Sequence, residues 1–467
     1  MKISNPKYKC VHCNGQIIAT GDTYKCNDCS YAYIEINSIP LFLEDGKKFA
    51  NENYASIWTH KNRTYSYLGQ NEEYSFLQTK REESFTQLRN GFESNMVVYD
   101  SLLKDLEEFI IPELLVNANY STYQNEPLKG KELNYLMRDW GGATESEEEI
   151  NNILEVLERL LEKHSKKNNS IFFAGSGTGR FAYELASQFK EVYCTDLSYR
   201  MIHFFKSMLE GKTIDFYQIN GFSNIYNTKD VTKKVSSYDR WKKEHSNISY
   251  FISDIQNIPI ISDSMDVFAS VYFLDVLNIE NYIREINRVL KKDGVYINIG
   301  PIGYSEGNFV HNLMPSEIKS VFEKNGFEIE HEEFITTTYM ASDVEMSYSV
   351  HKNWVFIARK KENTNKEYTI ALETVLELHE KIFAERKSEI SSQGETVFYN
   401  RLYNQYGDNY ENADLIIEIL YLLDDAISVQ SLIDRLENEL GVILSFEELH
   451  PILMDFLSNK SIRIKQP

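Results

Sequence analysis

The sequence predicts an α/β protein with a doubly wound, mostly parallel sheet at its centre. From about residue 168, short apolar runs alternate with helical segments, an order typical of such sheets. A glycine-rich loop follows the first run, and acidic, helical segments flank the sheet on both sides. The predicted strands are Ile171–Ala174, Glu191–Cys194, Tyr250–Ile252, Val267–Phe273 and Val295–Ile299.

The length and charge of the chain limit what it can bind. Its 467 residues exceed one typical domain, so we expect several. The formal net charge of −21 argues against nucleic acid as a partner, because proteins that bind nucleic acids use positive charge to neutralise the phosphates. The N-terminus carries no apolar run typical of a signal peptide, and no stretch approaches the roughly 18 to 20 apolar residues of a spanning helix. We expect a soluble, cytoplasmic protein.

Four of the five cysteines form two CxxC pairs near the N-terminus. Cys10 and Cys13 are separated by twelve residues from Cys26 and Cys29. Disulfides are not expected in a reducing cytosol, whereas four thiolates at this spacing close a tetrahedral structural zinc site. The sequence therefore predicts a zinc ribbon over residues 1–45, followed by an acidic helical lead-in over 46–165.

The glycine-rich loop, Ala174-Gly-Ser-Gly-Thr-Gly-Arg180, lies between a predicted strand and a helix. Its third glycine comes one residue earlier than in a dinucleotide-binding loop. Asp196 ends the second strand and Asp254 ends the third. These features resemble class I S-adenosylmethionine-dependent methyltransferases, which implies that cofactor and a Rossmann-like core over 166–360. The resemblance further implies that Asp196 accepts both ribose hydroxyls and that Asp254 accepts from the adenine amine.

Four segments carry a closer resemblance: Met137-Arg-Asp-Trp140, Phe173 to Ala186, Tyr272-Phe-Leu-Asp275 and Ile297-Asn-Ile-Gly-Pro-Ile-Gly-Tyr304. Through these segments, residues from about 95 to 360 resemble the carnosine N-methyltransferase family, which methylates an imidazole nitrogen of a histidine dipeptide. The resemblance implies that Arg138 pairs with the methionine carboxylate; a solvent-exposed helix charge is the alternative. The resemblance implies cofactor contacts from Arg138, Gly175, Asp196, Asp254 and Ile255. Gly177, Gly179 and Val267 are further candidate cofactor-binding residues.

The same resemblance makes Asp275 and Tyr304 the candidate catalytic residues. A carboxylate at Asp275 can accept one ring N–H of an imidazole and so orient the other nitrogen for attack. A helix N-cap is the structural alternative for this residue.

The candidate substrate residues depart from the family after Tyr304 and in the closing hairpin, where the family's tyrosine-rich cluster is only partly kept, with Tyr348 and His351 nearby. Ser305 follows Tyr304, where the family has a histidine, and His311 is either a replacement or a lone surface histidine. This departure predicts an acceptor other than carnosine: a histidine within a peptide, or another nucleophile. The implied substrate-binding residues are Asp275, Tyr304, Ser305, His311, Tyr348 and His351.

The C-terminal segment, residues 361–467, is acidic, with 10 Lys and Arg against 20 Asp and Glu. The charged run that begins at Arg359 is predicted to be a linker. Helices over 414–423, 429–440 and 446–457 and a final short strand predict a winged-helix-like domain. It is similar to modules that hold leader peptides in enzymes modifying ribosomally made peptides; a packing or homodimer contact is the alternative.

The leading hypothesis is an S-adenosylmethionine-dependent N-methyltransferase of a peptide or protein substrate. One alternative is a zinc-ribbon methyltransferase of rRNA or tRNA, because the N-terminal module resembles those fused to or partnered with RNA and protein methyltransferases. The acidity of the chain opposes that alternative. A second alternative is a cofactor-binding scaffold without turnover.

Overall fold

The chain forms two compact units in a computed structural model, Met1–Glu306 with Met314–Thr364, and Gly307–Leu313 with Asn365–Pro467. No helix in the described residues is long and apolar enough to cross a membrane. The division of the first unit at residues 45 and 165 stays a prediction. The structure describes residues 7–20, 23–75, 82–110, 131–220, 224–237, 245–304, 312–364, 370–378, 383–390, 396–403, 413–423, 426–458 and 461–465.

The first unit begins with short strands and long helices and continues as alternating strands and helices. Its strands are β1 Ile17–Thr20, β2 Thr23–Cys26, β3 Ala32–Tyr33, β4 Glu35–Ile36, β5 Ile39–Phe42, β6 Ser170–Ala174, β7 Glu191–Asp196, β8 Asp215–Ile219, β9 Thr232–Ser236, β10 Ile248–Ser253, β11 Met265–Val271, β12 Leu290–Gly300, β13 Phe327–Tyr339 and β14 Ser349–Lys360. Its helices are α1 Gly46–Ser75, α2 Glu82–Leu106, α3 Lys131–Trp140, α4 Thr144–His164, α5 Arg180–Leu185, α6 Tyr199–Leu209, α7 Ile283–Val289 and α8 Pro315–Lys324.

A nine-stranded sheet forms the centre of this unit, in the order β13-β14-β12-β11-β6-β7-β10-β5-β4. The six strands from β12 to β5 run parallel, whereas β14 and β4 are antiparallel to their neighbours. This confirms the predicted mostly parallel sheet and its five predicted strands. The chain leaves β6 towards β7 and later returns to β11 on the other side. Ligands bind at the carboxyl edge beside such a reversal of strand order.

Burial explains why these segments form strands and helices. All five residues of β6 are buried, as expected for a central strand covered on both faces. In α4, Ile150, Ile153, Leu157 and Leu160 are fully buried and recur at helical spacing. The lead-in thus supplies helices that cover the sheet.

The charged segment at the end of β14 belongs to the sheet, so the prediction of a linker from Arg359 onward was wrong there. Arg359 and Lys360 are 5% and 0% exposed. The Arg359 guanidinium donates to Glu330 and to the carbonyl of His164, and the Lys360 ammonium donates to Asp263. Long basic side chains can be buried when each charge finds a partner.

The second unit has its own leucine-rich core. Its three helices lie close to the predicted positions, and its strands form a three-stranded antiparallel sheet and a separate hairpin. The winged-helix-like identity stays a prediction. The bounds are β15 Val375–Leu378, β16 Phe383–Ile390, β17 Thr396–Tyr403, α9 Ala413–Leu422, β18 Ile427–Ser428, α10 Val429–Leu440, α11 Phe446–Ser458 and β19 Ile462–Ile464.

The glycine before α5 allows a direct test of packing in the first unit. Gly179 has a φ of 77°, and a Cβ there would overlap the buried ring of Phe205. Gly179→Ala is expected to lower the free energy of unfolding by about 2–5 kcal/mol, from backbone strain and overpacking together. Gly211→Ala is the control, because Gly211 has a φ of 69° but open space around its Cβ position. Equal losses in urea denaturation of the two variants would contradict this packing.

Candidate active site

The glycine loop between β6 and α5 lies at the carboxyl edge of the sheet. Gly175, Gly177 and Gly179 have φ values of 55°, 55° and 77°, in the left-handed region that favours glycine. A Cβ at Gly175 would overlap Phe273, whereas a Cβ at Gly177 would meet nothing within 4 Å. The outer glycines are therefore required by packing, and the middle one borders open space into which a ligand can approach the backbone.

The Arg-Asp-Trp segment, residues 138–140 at the end of α3, forms hydrogen bonds to this loop. The Trp140 indole donates to the Thr178 carbonyl at 2.9 Å, and the Thr178 hydroxyl donates to Asp139. Arg180, at the start of α5, donates to the Asp139 carbonyl and with both terminal nitrogens to Glu147 at 3.1 and 3.0 Å. Trp140 is fully buried and Asp139 and Arg180 nearly so, so these bonds fix α3 relative to the loop.

Arg138 is held beside the loop with part of its guanidinium unsatisfied. It is 6% exposed, its Nε donates to Asp139 at 2.7 Å, and its Nη1 lies 3.8 Å from Glu149 Oε1. Burial opposes its charge, but Asp139 and Glu149 together raise the pKa of Arg138 above its ordinary value. Within the described residues the buried Nη1 makes no hydrogen bond. A buried cationic donor of this kind fits a ligand carboxylate.

Two predicted carboxylates lie at the same edge. Asp196, the last residue of β7, accepts from the Gly177 N–H at 3.0 Å and from the Ser198 N–H at 2.8 Å. Burial raises the pKa of Asp196, and these two N–H groups oppose that rise. Asp254 follows β10, is half-buried, and accepts from the Gln256 N–H at 2.9 Å.

The other candidate cofactor residues differ in position. Ile255 follows Asp254 at the carboxyl edge and is 7% exposed. Val267 lies in the interior of β11, fully buried and opposite Ile171 of β6. The structure therefore does not bring Val267 to the edge where the other candidate residues meet; its side chain contributes to the core instead.

Asp275 and Tyr304 lie in the two loops that leave β11 and β12. Asp275 is in a turn, where its Oδ2 accepts from the Gly303 N–H at 2.7 Å, so it joins the two loops. Tyr272, just before this turn, has a φ of 55°, which is strained for a residue with a side chain. Strain of this kind often occurs at functional sites. Ser305 and His311 lie outside the described residues.

The closing hairpin of β13 and β14 adds an aromatic cluster. The His351 ring stacks on Tyr339 with centroids 4.3 Å apart, and Tyr272 lies 5.2 Å from Tyr339. Burial lowers the pKa of His351, and the nearby Asp275 carboxylate opposes that shift. Tyr348, which the sequence also assigned to the substrate, is 56% exposed.

Sequence reasoning missed several residues of this site. Tyr272 was quoted only as part of a motif, and Tyr339, Glu149 and Thr337 were not identified as site residues. Thr337 accepts from Asn353 at 2.8 Å and bonds with the Tyr272 hydroxyl at 3.3 Å. Exposure alternates along β13 from Phe327 to Thr337, but apolar and acidic residues alternate in the sequence only over 327–330, so the sequence carried little signal for the inward-facing positions.

The four N-terminal cysteines come together as predicted. All four Sγ atoms lie within 4.8 Å of one another, with Cys10 and Cys29 at 3.7 Å and Cys13 and Cys26 at 3.4 Å. Tetrahedral zinc with bonds of about 2.3 Å places its sulfurs about 3.8 Å apart. The group could therefore hold a metal ion.

Comparison with known proteins identifies the family. The carnosine N-methyltransferase domain matches residues 121–362. The rat and mouse carnosine N-methyltransferases are each 28% identical over 260 residues, covering 51% of this chain and 64% of theirs. The protein from Schizosaccharomyces pombe is 28% identical over 258 residues, covering 48% of this chain and 68% of that protein. The chain thus spans less than two thirds of the length of its rat and mouse relatives.

Among solved structures, magnesium protoporphyrin IX methyltransferase from Synechocystis PCC 6803 with bound SAM has a TM-score of 0.33 and 11% identity, covering 50% of this chain and 93% of that one. The assignment to a family depends instead on the match to the family domain, which extends over more than half of the sequence. The chain belongs to the carnosine N-methyltransferase family.

Proposed function

We propose that the chain is an S-adenosylmethionine-dependent N-methyltransferase that modifies a histidine imidazole, or a similar nucleophile, in a peptide. The observation that carries this proposal is the buried, partly unsatisfied Arg138 guanidinium beside a glycine loop with an open side at Gly177. Membership of the family supports the reaction type.

The residues at the sheet edge have the chemistry to hold each part of the cofactor. Arg138 Nη1 would donate to the methionine carboxylate, and the backbone at Gly177 allows close approach. Asp196 has lone pairs beyond those used by Gly177 and Ser198, so it can accept the ribose hydroxyls. Asp254 and Ile255 lie where the adenine ring would end. When bound, S-adenosylmethionine supplies an electrophilic methyl group.

Asp275 is the proposed catalytic residue that orients the acceptor. A carboxylate has about four acceptor positions, so Asp275 can bind a substrate N–H while it holds the Gly303 N–H. An imidazole that donates one N–H to Asp275 presents the lone pair of its other nitrogen for attack. The same carboxylate stabilises the positive charge that develops on the ring, and the proton leaves afterwards to solvent.

The aromatic cluster would complete the acceptor side. Tyr272 and Tyr339 pack with His351 near Asp275, and aromatic rings stabilise a cation that lies against their faces. Tyr304, in the loop that Asp275 holds, would contact the same substrate. Contributions from Ser305, His311 and Tyr348 stay predictions.

A peptide is proposed as the substrate for two reasons. The family histidine after Tyr304 is absent from this chain, which argues against carnosine itself. The second unit is similar in sequence pattern to modules that bind a leader peptide as an added strand, and its three-stranded sheet has the short strands β18 and β19 at its edges. Packing or homodimer formation through this unit is the alternative role.

The four cysteines are proposed to bind one structural zinc ion. Cys10 and Cys26 are buried, whereas Cys13 and Cys29 are exposed. A bound metal ion would therefore link the buried and the exposed turns of this segment. The segment is too short for a large apolar core, and metal binding supplies folding energy in such modules.

Incubation of the full chain with S-adenosylmethionine and defined acceptors tests the proposal. Mass spectrometry is expected to find one added methyl group on the histidine ring of a peptide, with carnosine modified less. Asp275→Asn is expected to lower kcat on the order of 100-fold. Asp343→Asn is the control, because that carboxylate is 49% exposed and pairs with Lys233. Methylated RNA with unmodified peptides would favour the RNA alternative, and no product with any acceptor would favour the scaffold.

The pKa of His351 tests the electrostatics of the acceptor side without catalysis. Asp275 raises the pKa of His351 against the effect of burial. Because Asp275→Asn removes the charge that favours the imidazolium, the pKa of His351 is expected to fall further below about 6.5. Histidine-selective NMR titration measures this change, with Asp343→Asn as the control and His351→Gln to assign the signal. An unchanged pKa in Asp275→Asn would contradict the proximity of the two groups.

A further inference from the structure

A cleft of about 360 Å³ lies beside the proposed adenine end of the cofactor site, and eight of its eleven lining residues come from outside the family domain. Its volume is in the range of ligand pockets, about 300–1,000 Å³. The core contributes Leu197, which follows Asp196, and the turn after β10. The lining that matters here consists of Val11, Leu43 and Phe49 from the N-terminal segment and Leu197, Asp254 and Asn257 from the core.

Strand pairing brings the N-terminal segment to this position. β5 runs parallel to β10, with Leu41 opposite Ile252 and Phe42 opposite Ser253. Because the carboxyl ends of parallel strands meet at one edge, the residue after Phe42 lies at the same edge as Asp254. Leu43 therefore leaves the sheet at the edge where Asp254 does.

Residues 7–33, here called the cysteine segment, form hydrogen bonds to both sides of the cleft. On the core side, the Asn257 side chain donates to the carbonyl of Val11, between two cysteines, at 3.0 Å, and the Lys9 N–H donates to the Pro259 carbonyl at 3.0 Å. On the other side, the Tyr31 hydroxyl, two residues after Cys29, donates to the Glu44 carbonyl at 3.0 Å. The turns that carry the cysteines thus hold the loop that ends β5 and the turn that follows Asp254.

The chemistry of the cleft suits a purine. Val11, Leu43, Phe49 and Leu197 offer apolar and aromatic surface. The carboxylates of Asp254, Glu44, Asp45 and Glu52 offer acceptors to an amine, and with the ammonium of Lys48 they make much of the remaining lining polar. A flat aromatic base with one exocyclic amine requires apolar faces and a hydrogen-bond acceptor at its edge.

We propose that the cysteine segment and β5 complete the cofactor site by forming the wall that receives the adenine end of S-adenosylmethionine. This inference rests on the proposed function and extends it. The metal at the four cysteines then has a second role, because it shapes the turns that hold this wall. Cofactor affinity and metal occupancy are coupled as a result.

Calorimetric binding of S-adenosylhomocysteine and of 5′-methylthioadenosine, which lacks the amino-acid end, tests the wall. Leu43→Glu is expected to weaken both ligands at least about tenfold, since tenfold is only about 1.4 kcal/mol and an unpaired desolvated carboxylate costs more. Ile18→Glu is the matched control, because Ile18 is 43% exposed on β1 and does not line the cleft. Thermal denaturation of each variant shows whether it is folded before binding is compared.

Metal removal provides a second measurement on the unmutated chain. After chelation, with zinc loss checked by elemental analysis, both ligands are expected to bind at least about tenfold more weakly while the circular dichroism of the main sheet persists. Readdition of zinc is expected to restore the affinity. Unchanged affinity in the metal-free chain would overturn the coupling.

The outcomes separate this inference from the proposed function. If the unmutated chain binds both ligands and Leu43→Glu matches Ile18→Glu, the adenine wall is refuted and the proposed function stands. If the unmutated, zinc-loaded chain binds neither ligand, the proposed function fails, and the inference fails with it.

Discussion

The hydrogen bonds between the Arg-Asp-Trp segment and the glycine loop determine how the rest of the site is arranged. The Trp140 indole and the Asp139 carboxylate both bind Thr178, and Arg180 returns to the Asp139 carbonyl. These groups are buried, where a lost hydrogen bond costs more than at the surface. Because these bonds fix α3, Arg138 lies beside the loop. The position of Arg138 therefore does not depend on a hydrogen bond from its Nη1.

The charges around the site follow from that arrangement. Arg138 is buried with two carboxylates, one of which it contacts at hydrogen-bonding distance and the other only at 3.8 Å. A buried guanidinium with an unsatisfied donor is costly, and an anionic ligand group would relieve that cost. Asp196, Asp254 and Asp275 give the edge an acidic character that suits hydroxyl, amine and ring N–H donors.

The features that depend on local pattern could be predicted from the sequence. The alternating strands, the glycine loop and the four cysteines are each recognised within a short stretch, and the fold class and family that they indicate are confirmed. Partners far apart in sequence could not be predicted. Nothing in the Ile39–Phe42 run indicates that it pairs with β10, and nothing near Glu149 indicates that it faces Arg138.

Composition alone was misleading where charges are buried. Arg359 and Lys360 have the composition of a linker, but ion pairs and carbonyl acceptors hold them inside the sheet. Val267 was a candidate cofactor-binding residue, yet the register of β11 with β6 puts it in the core. In both cases the position was set by contacts across the sheet.

The central claim is that Arg138 completes a site for a ligand that carries both an adenosine and a carboxylate. Calorimetry on the unmutated chain with S-adenosylhomocysteine and with its decarboxylated analogue tests it most directly. The account predicts that loss of the carboxylate weakens binding about 10- to 100-fold, the value of a charge-assisted hydrogen bond. Equal affinity for the two ligands would contradict it.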